Sequence, residues 1–525
     1  MRVAHARYLV GFALAAAAVL LAWLALRPDA EPPASSPVPA GAVEFVRGNN
    51  ADPESLDPLQ ARSEPALNIL RDLHEGLTTL DASGTVIPGA ARHWEASEDG
   101  LAWHFEMDPE ARWSDGERVT ASHFSNAFGA LADPETASPH AALFEPIAAV
   151  HADTPDRLRI MLRHPVSWLP ALLAHPAASP RRDDLPADGR VSSGAFRLAA
   201  RRPGSDIVLE RNPSYRAARE VAIDRVRYLP IEDHAAELSR YRAGELDMTY
   251  TVPVSRVPWL REHMSEELRL SPYLAVYFYG FNTRRPPLDD ARVRRALSLA
   301  VDRELLTLRV TGAGEQPACT LVPPALENYE SPRDALCEAR RSDRIEAATR
   351  LLAEAGYGPD RPLQLELRYN TGELHERIAV AVSTMWRDAL GVETALVGEE
   401  FRVLLGNVRA GEVTQVYRGS WIADFAAPES FLGILAGDSP VNGTGWADPG
   451  YDRLLREAGM QPDREAGLRR LAEAEARALE AAPLMPLYFY VSKKLVKPRV
   501  RGVEDNPLNV HPSRFVKLQE RVAAE

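Results

Sequence analysis

Cysteine is nearly absent from this chain. Among 525 residues there are two, Cys319 and Cys337, and neither they nor the 13 scattered histidines pair at metal-ligand spacing. A metal site is therefore not expected. No block of basic residues occurs and the formal net charge is -13. Binding to nucleic acid, which relies on Lys and Arg against phosphate, is thus not expected either. No Gly-x-Ser-x-Gly elbow is present, so Ser114, Asp115 and His123 do not make a hydrolase signature, although they lie close in sequence. No cysteine precedes residue 43, and a lipid-modified N-terminus is not expected.

What is present is a globular composition, with 45% hydrophobic and 26% charged residues. The length exceeds one core, so two or three domains are expected. Arg2 and Arg7 precede an uncharged run that opens at Tyr8 and closes at Leu26. At about 1.5 Å per residue it nearly spans a bilayer core. The basic end would stay in the cytoplasm and the rest would be exported. Two fates are open. The small residues Ala40-Gly41-Ala42 suit a signal peptidase, but they lie beyond a Pro-rich spacer, and an uncleaved anchor fits as well. In an exported chain an even cysteine count favours a disulfide, here closing a loop around Pro323-Pro324. Two separate buried thiols are the alternative.

Along the chain, the alternation over 43–48 predicts a strand. Pro65 opens a helix carrying Leu67, Leu70 and Leu73, expected to end at Gly76. Trp103 and Phe105 mark another strand. Asp115-Gly116 is a turn pair, and Thr120 is an N-cap for a helix running to 131. A strand over 226–230, a helix over 233–243 and a returning strand over 246–250 read as an α/β unit. Residues 273–281 form an aromatic strand. The spacing of Val293, Ala296, Leu297, Ala300, Val301 and Leu305 predicts a helix over 290–304. Its Arg292, Arg294 and Arg295 suit an anion or, more simply, a solvated face. Helices follow over 342–355, 375–390 and 463–481. Strands are predicted over 363–369 and 484–491, with a final strand segment through Phe515.

The stretch Ser420-Trp421-Ile422-Ala423-Asp424-Phe425-Ala426-Ala427-Pro428-Glu429-Ser430-Phe431 holds one carboxylate that stands clear of the rest, Asp424, among Trp421, Phe425 and Phe431. An acid in an aromatic wall suits a cationic group such as a free amine, since low dielectric strengthens the pairing. A surface Asp capping a turn is the plainer reading.

The ordered series Ser55-Leu56-Asp57-Pro58, Arg71-Asp72-Leu73-His74-Glu75-Gly76-Leu77, Trp113-Ser114-Asp115-Gly116, Ala132-Asp133-Pro134-Glu135-Thr136-Ala137-Ser138-Pro139 and Arg240-Tyr241-Arg242-Ala243-Gly244-Glu245-Leu246-Asp247-Met248-Thr249-Tyr250 resembles the peptide-binding, family 5 solute-binding proteins of bacterial ABC importers. The resemblance runs from about residue 43 to 520. It implies an α/β fold of periplasmic binding protein type II: two lobes, a hinge and an extra domain. The implied division is 1–42 as signal peptide or anchor with a Pro-rich linker, 43–84, 191–279 and 491–525 as one lobe, 85–190 as the extra domain, and 280–490 as the other lobe. It also implies capture of short peptides without catalysis, delivery to an inner-membrane permease, a monomer, no cofactor, and a Gram-negative periplasm, soluble or tethered through the 8–26 run.

The resemblance further implies a site. Asp424 would take the peptide amine beside Trp421, and Arg418, or less well Arg409, the carboxylate. Tyr250 and Phe401 would line the cleft. His140 stands where the family pattern has tyrosine, and Arg62 and Glu64 where an acid and an apolar residue are expected at the cleft edge. The cysteines that relatives place at the positions of Ala275 and Ile422 are both replaced. These departures leave room for murein peptide, dipeptide or another small solute. An exported hydrolase using Ser114 or Ser193, and an anchored sensor or scaffold, are the competing readings.

Overall fold

The computed structural model describes residues 41–519 apart from 187, 414 and 462. The anchor or signal segment and the Ala40–Ala42 cleavage motif therefore lie outside the described residues, Gly41 and Ala42 excepted. No helix among the described residues is long and apolar enough to cross a membrane.

Among the described residues three sheets of four or more strands carry the fold, beside two two-stranded pairs. The first has the order Glu44–Gly48, Arg225–Leu229, Asp206–Arg211, Phe196–Arg202, with its first pair parallel and the rest antiparallel. Phe45, Phe196, Ile207, Val226 and Tyr228 face the helix Glu64–Leu73, which offers Ile69, Leu70 and Leu73. That helix starts where expected, with Ser63 Oγ accepting from the Ala66 N–H at 3.3 Å and Pro65 in its first turn. It ends three residues sooner than Gly76. Gly76 is no cap: a Cβ there would sit 2.5 Å from the Leu173 carbonyl oxygen, so the glycine permits a close backbone approach.

The second sheet is antiparallel, in the order Ala91–Ala96, Ala102–Met107, Arg157–Leu162, Ile147–Thr154. Phe105, Leu158 and Ile160 pack on Phe124 and Phe128 of the helix Ala121–Ala132. The third sheet is mixed and six-stranded: Gln316–Pro317, Leu484–Leu495, Leu268–Phe281, Val416–Ile422, Gln364–Asn370, Glu393–Glu399. The helices Ala291–Ala300, Arg341–Glu354 and Glu373–Leu390 cover it, burying Leu297, Ala348, Ile378, Val382 and Trp386. Its strands Leu268–Phe281 and Leu484–Leu495 are longer than expected, at 14 and 12 residues.

Several elements differ from expectation. The helix predicted over 290–304 breaks at Val301, whose backbone is extended. Asp302 then caps a new turn, accepting from the Leu305 N–H at 3.0 Å, and Leu305 ends up 47% exposed. Of the three arginines Arg292 lies on a solvated face, as expected, while Arg294 and Arg295 are turned into the protein. Arg294 donates to the carbonyls of Leu288, Asp289, Ala481 and Ala482, Arg295 pairs with Asp334, and Arg292 with Asp290. The 246–250 segment is not a ladder strand. Only Met248 bridges, to Arg47 and Val496, because the Asp247 carboxylate takes the Val46 N–H at 2.9 Å in place of a backbone carbonyl. Near the C-terminus, Ser513–Phe515 is a single 3-10 turn, and the strands there are the two-residue pair Val500–Arg501 and Lys517–Leu518.

Cys319 and Cys337 are bonded, 18 residues apart. Closing a loop of this size removes chain entropy from the unfolded state, worth about 3 kcal/mol. Substituting both by serine is expected to lower the protection of the amides between residues 319 and 337 against hydrogen exchange. Unchanged protection there would show the bond to be energetically idle.

Candidate functional site

The strand Val416–Ile422 is held by the long strand Leu268–Phe281, with Tyr279 opposite Arg418, Val276 opposite Trp421 and Ala275 opposite Ile422. One further bond, from the Ala423 N–H to the Leu274 carbonyl at 2.9 Å, carries the pairing to its end. The chain then turns. The Asp424 N–H donates to Ser430 Oγ at 3.0 Å. Phe425 stacks on Trp168 with centroids 4.4 Å apart and planes 5° from parallel. This stack fastens the turn to the core of the second sheet.

Asp424 thereby faces a cavity of about 180 Å3 with mostly aliphatic walls. Its carboxylate has no hydrogen bond or ion pair with any described residue. The surface of Asp424 opens to the cavity, yet protein surrounds it on most sides, and this burial pushes the acid up to about 6. Glu64, Arg71, His175 and Tyr273 share the cavity. Of the three aromatics expected around Asp424, Phe425 lines the cavity. Phe431 is fully buried elsewhere and Trp421 packs against that same separate core. The wall is thus more aliphatic than aromatic, because strand alternation turns Trp421 away from the end that Asp424 occupies.

The other candidates divide. Glu64 Oε2 accepts from the Tyr250 hydroxyl at 2.7 Å, so Tyr250 stands behind Glu64 and does not border the cavity. Tyr250 is further fixed by its N–H on Glu237 at 2.7 Å. His140 is likewise one layer back. Its Nε2 lies 2.6 Å from the Ala61 carbonyl, and its ring is 5.0 Å from that of His175. Burial lowers both imidazoles, His175 well below the ordinary histidine range, so both are neutral near pH 7.

Arg418 lies outside this cavity, over the face of Tyr277 at 4.7 Å, with one terminal nitrogen 3.0 Å from the Tyr490 hydroxyl. Its Nε is buried without a partner, and no carboxylate among the described residues pairs with it. His375, which sequence reasoning treated as an ordinary helix residue, joins this group. Its Nδ1 lies 3.2 Å from the Tyr277 hydroxyl, and burial followed by the Arg418 charge lowers it to about 3. Phe401 and Arg409 sit on the helix Phe401–Ala410, Phe401 half exposed and Arg409 exposed, and neither borders the cavity. Arg71, Tyr273 and His175 were missed. A polar side chain on a mainly buried helix face was the one available signal, and Arg71 carried it.

Residues 85–443 match the family model of bacterial extracellular solute-binding proteins, family 5. The chain belongs to this family. It is similar to the periplasmic oligopeptide-binding protein OppA of Salmonella typhimurium, at 35% identity over 93% of this chain and 95% of the relative. At the same identity, over 94% of this chain and 95% of the relative, it is similar to an Escherichia coli periplasmic protein, YgiS, named as a probable deoxycholate binder. The solved Escherichia coli murein tripeptide binding protein MppA superposes with a TM-score of 0.82 at 32% identity, over 91% of this chain and 99% of that one. Like these solute-binding proteins, the chain has the α/β, type II periplasmic binding protein fold.

Proposed function

We propose that this protein captures short peptides through their free amine and passes them, chemically unchanged, to an ABC-type importer in the inner membrane. The observation that carries this is Asp424: an unpaired carboxylate at the mouth of a strand pair, in a cavity whose walls are otherwise mainly aliphatic. An ammonium there gains a charge-assisted bond in a poorly screened setting. Arg418, a cation with no carboxylate partner, serves the other end of the peptide.

In this reading the lobe of 43–84, 191–279 and 491–525 closes against that of 280–490, with 85–190 enlarging the cleft. The ligand shifts the equilibrium because only the closed form contacts it from both sides. The strands Leu268–Phe281 and Leu484–Leu495 support such a hinge, since Met248 of the first lobe bridges to Val496 just past the end of the second strand. The protein acts as a monomer outside the cytoplasm, freed by cleavage or tethered by the 8–26 run. Two serines raised as nucleophiles are engaged structurally, which supports a binding protein over a hydrolase. Ser114 Oγ accepts from the Ser192 N–H at 3.1 Å, and Ser193 Oγ from the Glu75 N–H at 3.3 Å.

Native mass spectrometry of protein isolated from periplasm tests this reading. Co-purified masses that fragment as short peptides are expected. An empty cleft that calorimetry fills with deoxycholate and not with tripeptides would overturn it.

A further inference from the structure

Arg71 projects from the helix Glu64–Leu73 into the cavity of Asp424. Its Nε is sealed from solvent and unbonded. Neither terminal nitrogen donates to any described residue, and Glu64 acts on the guanidinium through its charge without forming a hydrogen bond or close ion pair. Glu64, the other acid in the cavity, is held instead by the Tyr250 hydroxyl at 2.7 Å and by Asn509 Nδ2 at 3.5 Å. Three other buried guanidinium groups are tied at several atoms: Arg294 to four carbonyls, Arg303 to Ser298 and Pro486, Arg514 to Glu75. A guanidinium withdrawn from water and left without acceptors is unfavourable unless something else supplies them. Its fork of donors matches a carboxylate.

Resting on the peptide reading above, we propose that Arg71 and Asp424 together read the first residue of the ligand, and that this residue carries a carboxylate as well as an amine. Asp424 holds the ammonium and Arg71 the carboxylate. Both line one cavity, with Arg62 at the same cavity, so an end residue seated there meets an acid and a guanidinium together. Two linkages present this chemistry. An ordinary peptide starting with Glu or Asp offers a side-chain carboxylate, and a peptide joined through the γ-carboxyl of Glu offers the α-carboxylate.

Calorimetry at pH 7.5 on the whole protein separates the cases. Glu-Ala-Ala is compared with Gln-Ala-Ala, and γ-Glu-Ala-Ala with the same compound lacking the α-carboxylate, γ-aminobutyryl-Ala-Ala. In at least one pair the carboxylate form is expected to bind tenfold or more tightly, and the favoured pair identifies the linkage. In Arg71→Gln that ratio is expected to fall to within twofold of unity. The comparison within the unaltered protein stands even where the variant folds poorly. Equal affinities within both pairs, with Ala-Ala-Ala still bound, overturn the inference and leave the peptide reading intact. A ratio that survives in Arg71→Gln overturns the assignment to Arg71. Failure of every peptide, Ala-Ala-Ala included, overturns the peptide reading and this inference with it.

Discussion

Asp424→Asn is expected to weaken binding of a free tripeptide by roughly ten- to a hundredfold, the equivalent of about 1.5–3 kcal/mol for a charge-assisted hydrogen bond. Acetylating the peptide amine should cost the unaltered protein about as much, and should cost Asp424→Asn little more. A double cycle by calorimetry reads this coupling directly. The pH dependence follows from the position of the acid at about 6. Above that value the free protein presents a carboxylate and the amine finds its counter-ion. As pH falls through it the acid is protonated and the pairing is lost, while the amine, with an ordinary pKa near 8, stays charged. Affinity should hold level between about pH 6.5 and 7.5 and drop below 6, and Asp424→Asn should flatten the drop. Equal affinity of the variant and the unaltered protein for free tripeptide would remove Asp424 from the site.

Glu75→Ala is expected to give the largest loss of stability from a single side chain, about 3–5 kcal/mol, because it leaves buried charges uncompensated. Glu75 accepts from the Tyr215 hydroxyl at 2.5 Å, from Arg216 Nε at 2.7 Å and from Arg514 at 2.8 Å. The Glu75 side chain is 3% exposed, against 21% for Arg216 and 9% for Arg514. Three distant parts of the chain thus meet on one carboxylate. A chain with several sheets does not melt in one step, so a single midpoint is a poor readout. Hydrogen exchange is better. Amides around Ser513–Phe515 should lose protection in Glu75→Ala before the six-stranded sheet does. Uniform protection in the variant would show that the cluster is not what fastens the C-terminal segment.

These two residues also mark what was and was not legible in the sequence. The local setting of Asp424, a strand end and a turn, was legible in its neighbours, but that setting alone favours a turn cap, and its proposed role came from the family series. Helix Glu373–Leu390 was legible locally as well. Its apolar face repeats at helical spacing, and Gly391 supplies the left-handed residue, at φ 67°, that ends it. Arg464–Ala481 announced itself through Asp463, which accepts from the N–H groups of Glu465 and Ala466. What failed depended on partners far along the chain. Asp72 accepts from the Ser513 N–H across 441 residues, and Arg294 reaches the Ala481 carbonyl across 187. No periodicity reports such pairs. The family series recovered the fold class where periodicity could not. The direction of Trp421 depended on which face it takes once its strand is paired, and that of Phe431 on the short helix Glu429–Leu432 after the turn, and a string of aromatics fixes neither.

The opposed positions Ala275 and Ile422 acquire a wider meaning from this arrangement. They face each other at the end of the strand pair, Ile422 two residues before Asp424, and neither is a cysteine. Ala275 is buried and Ile422 lines the cavity, and the cystine of this protein, Cys319–Cys337, lies away from that turn. Reducing agent is therefore expected to act on the covalent structure around Cys319 and Cys337 and to leave that of the Asp424 turn unchanged, because the chain has no other cysteine.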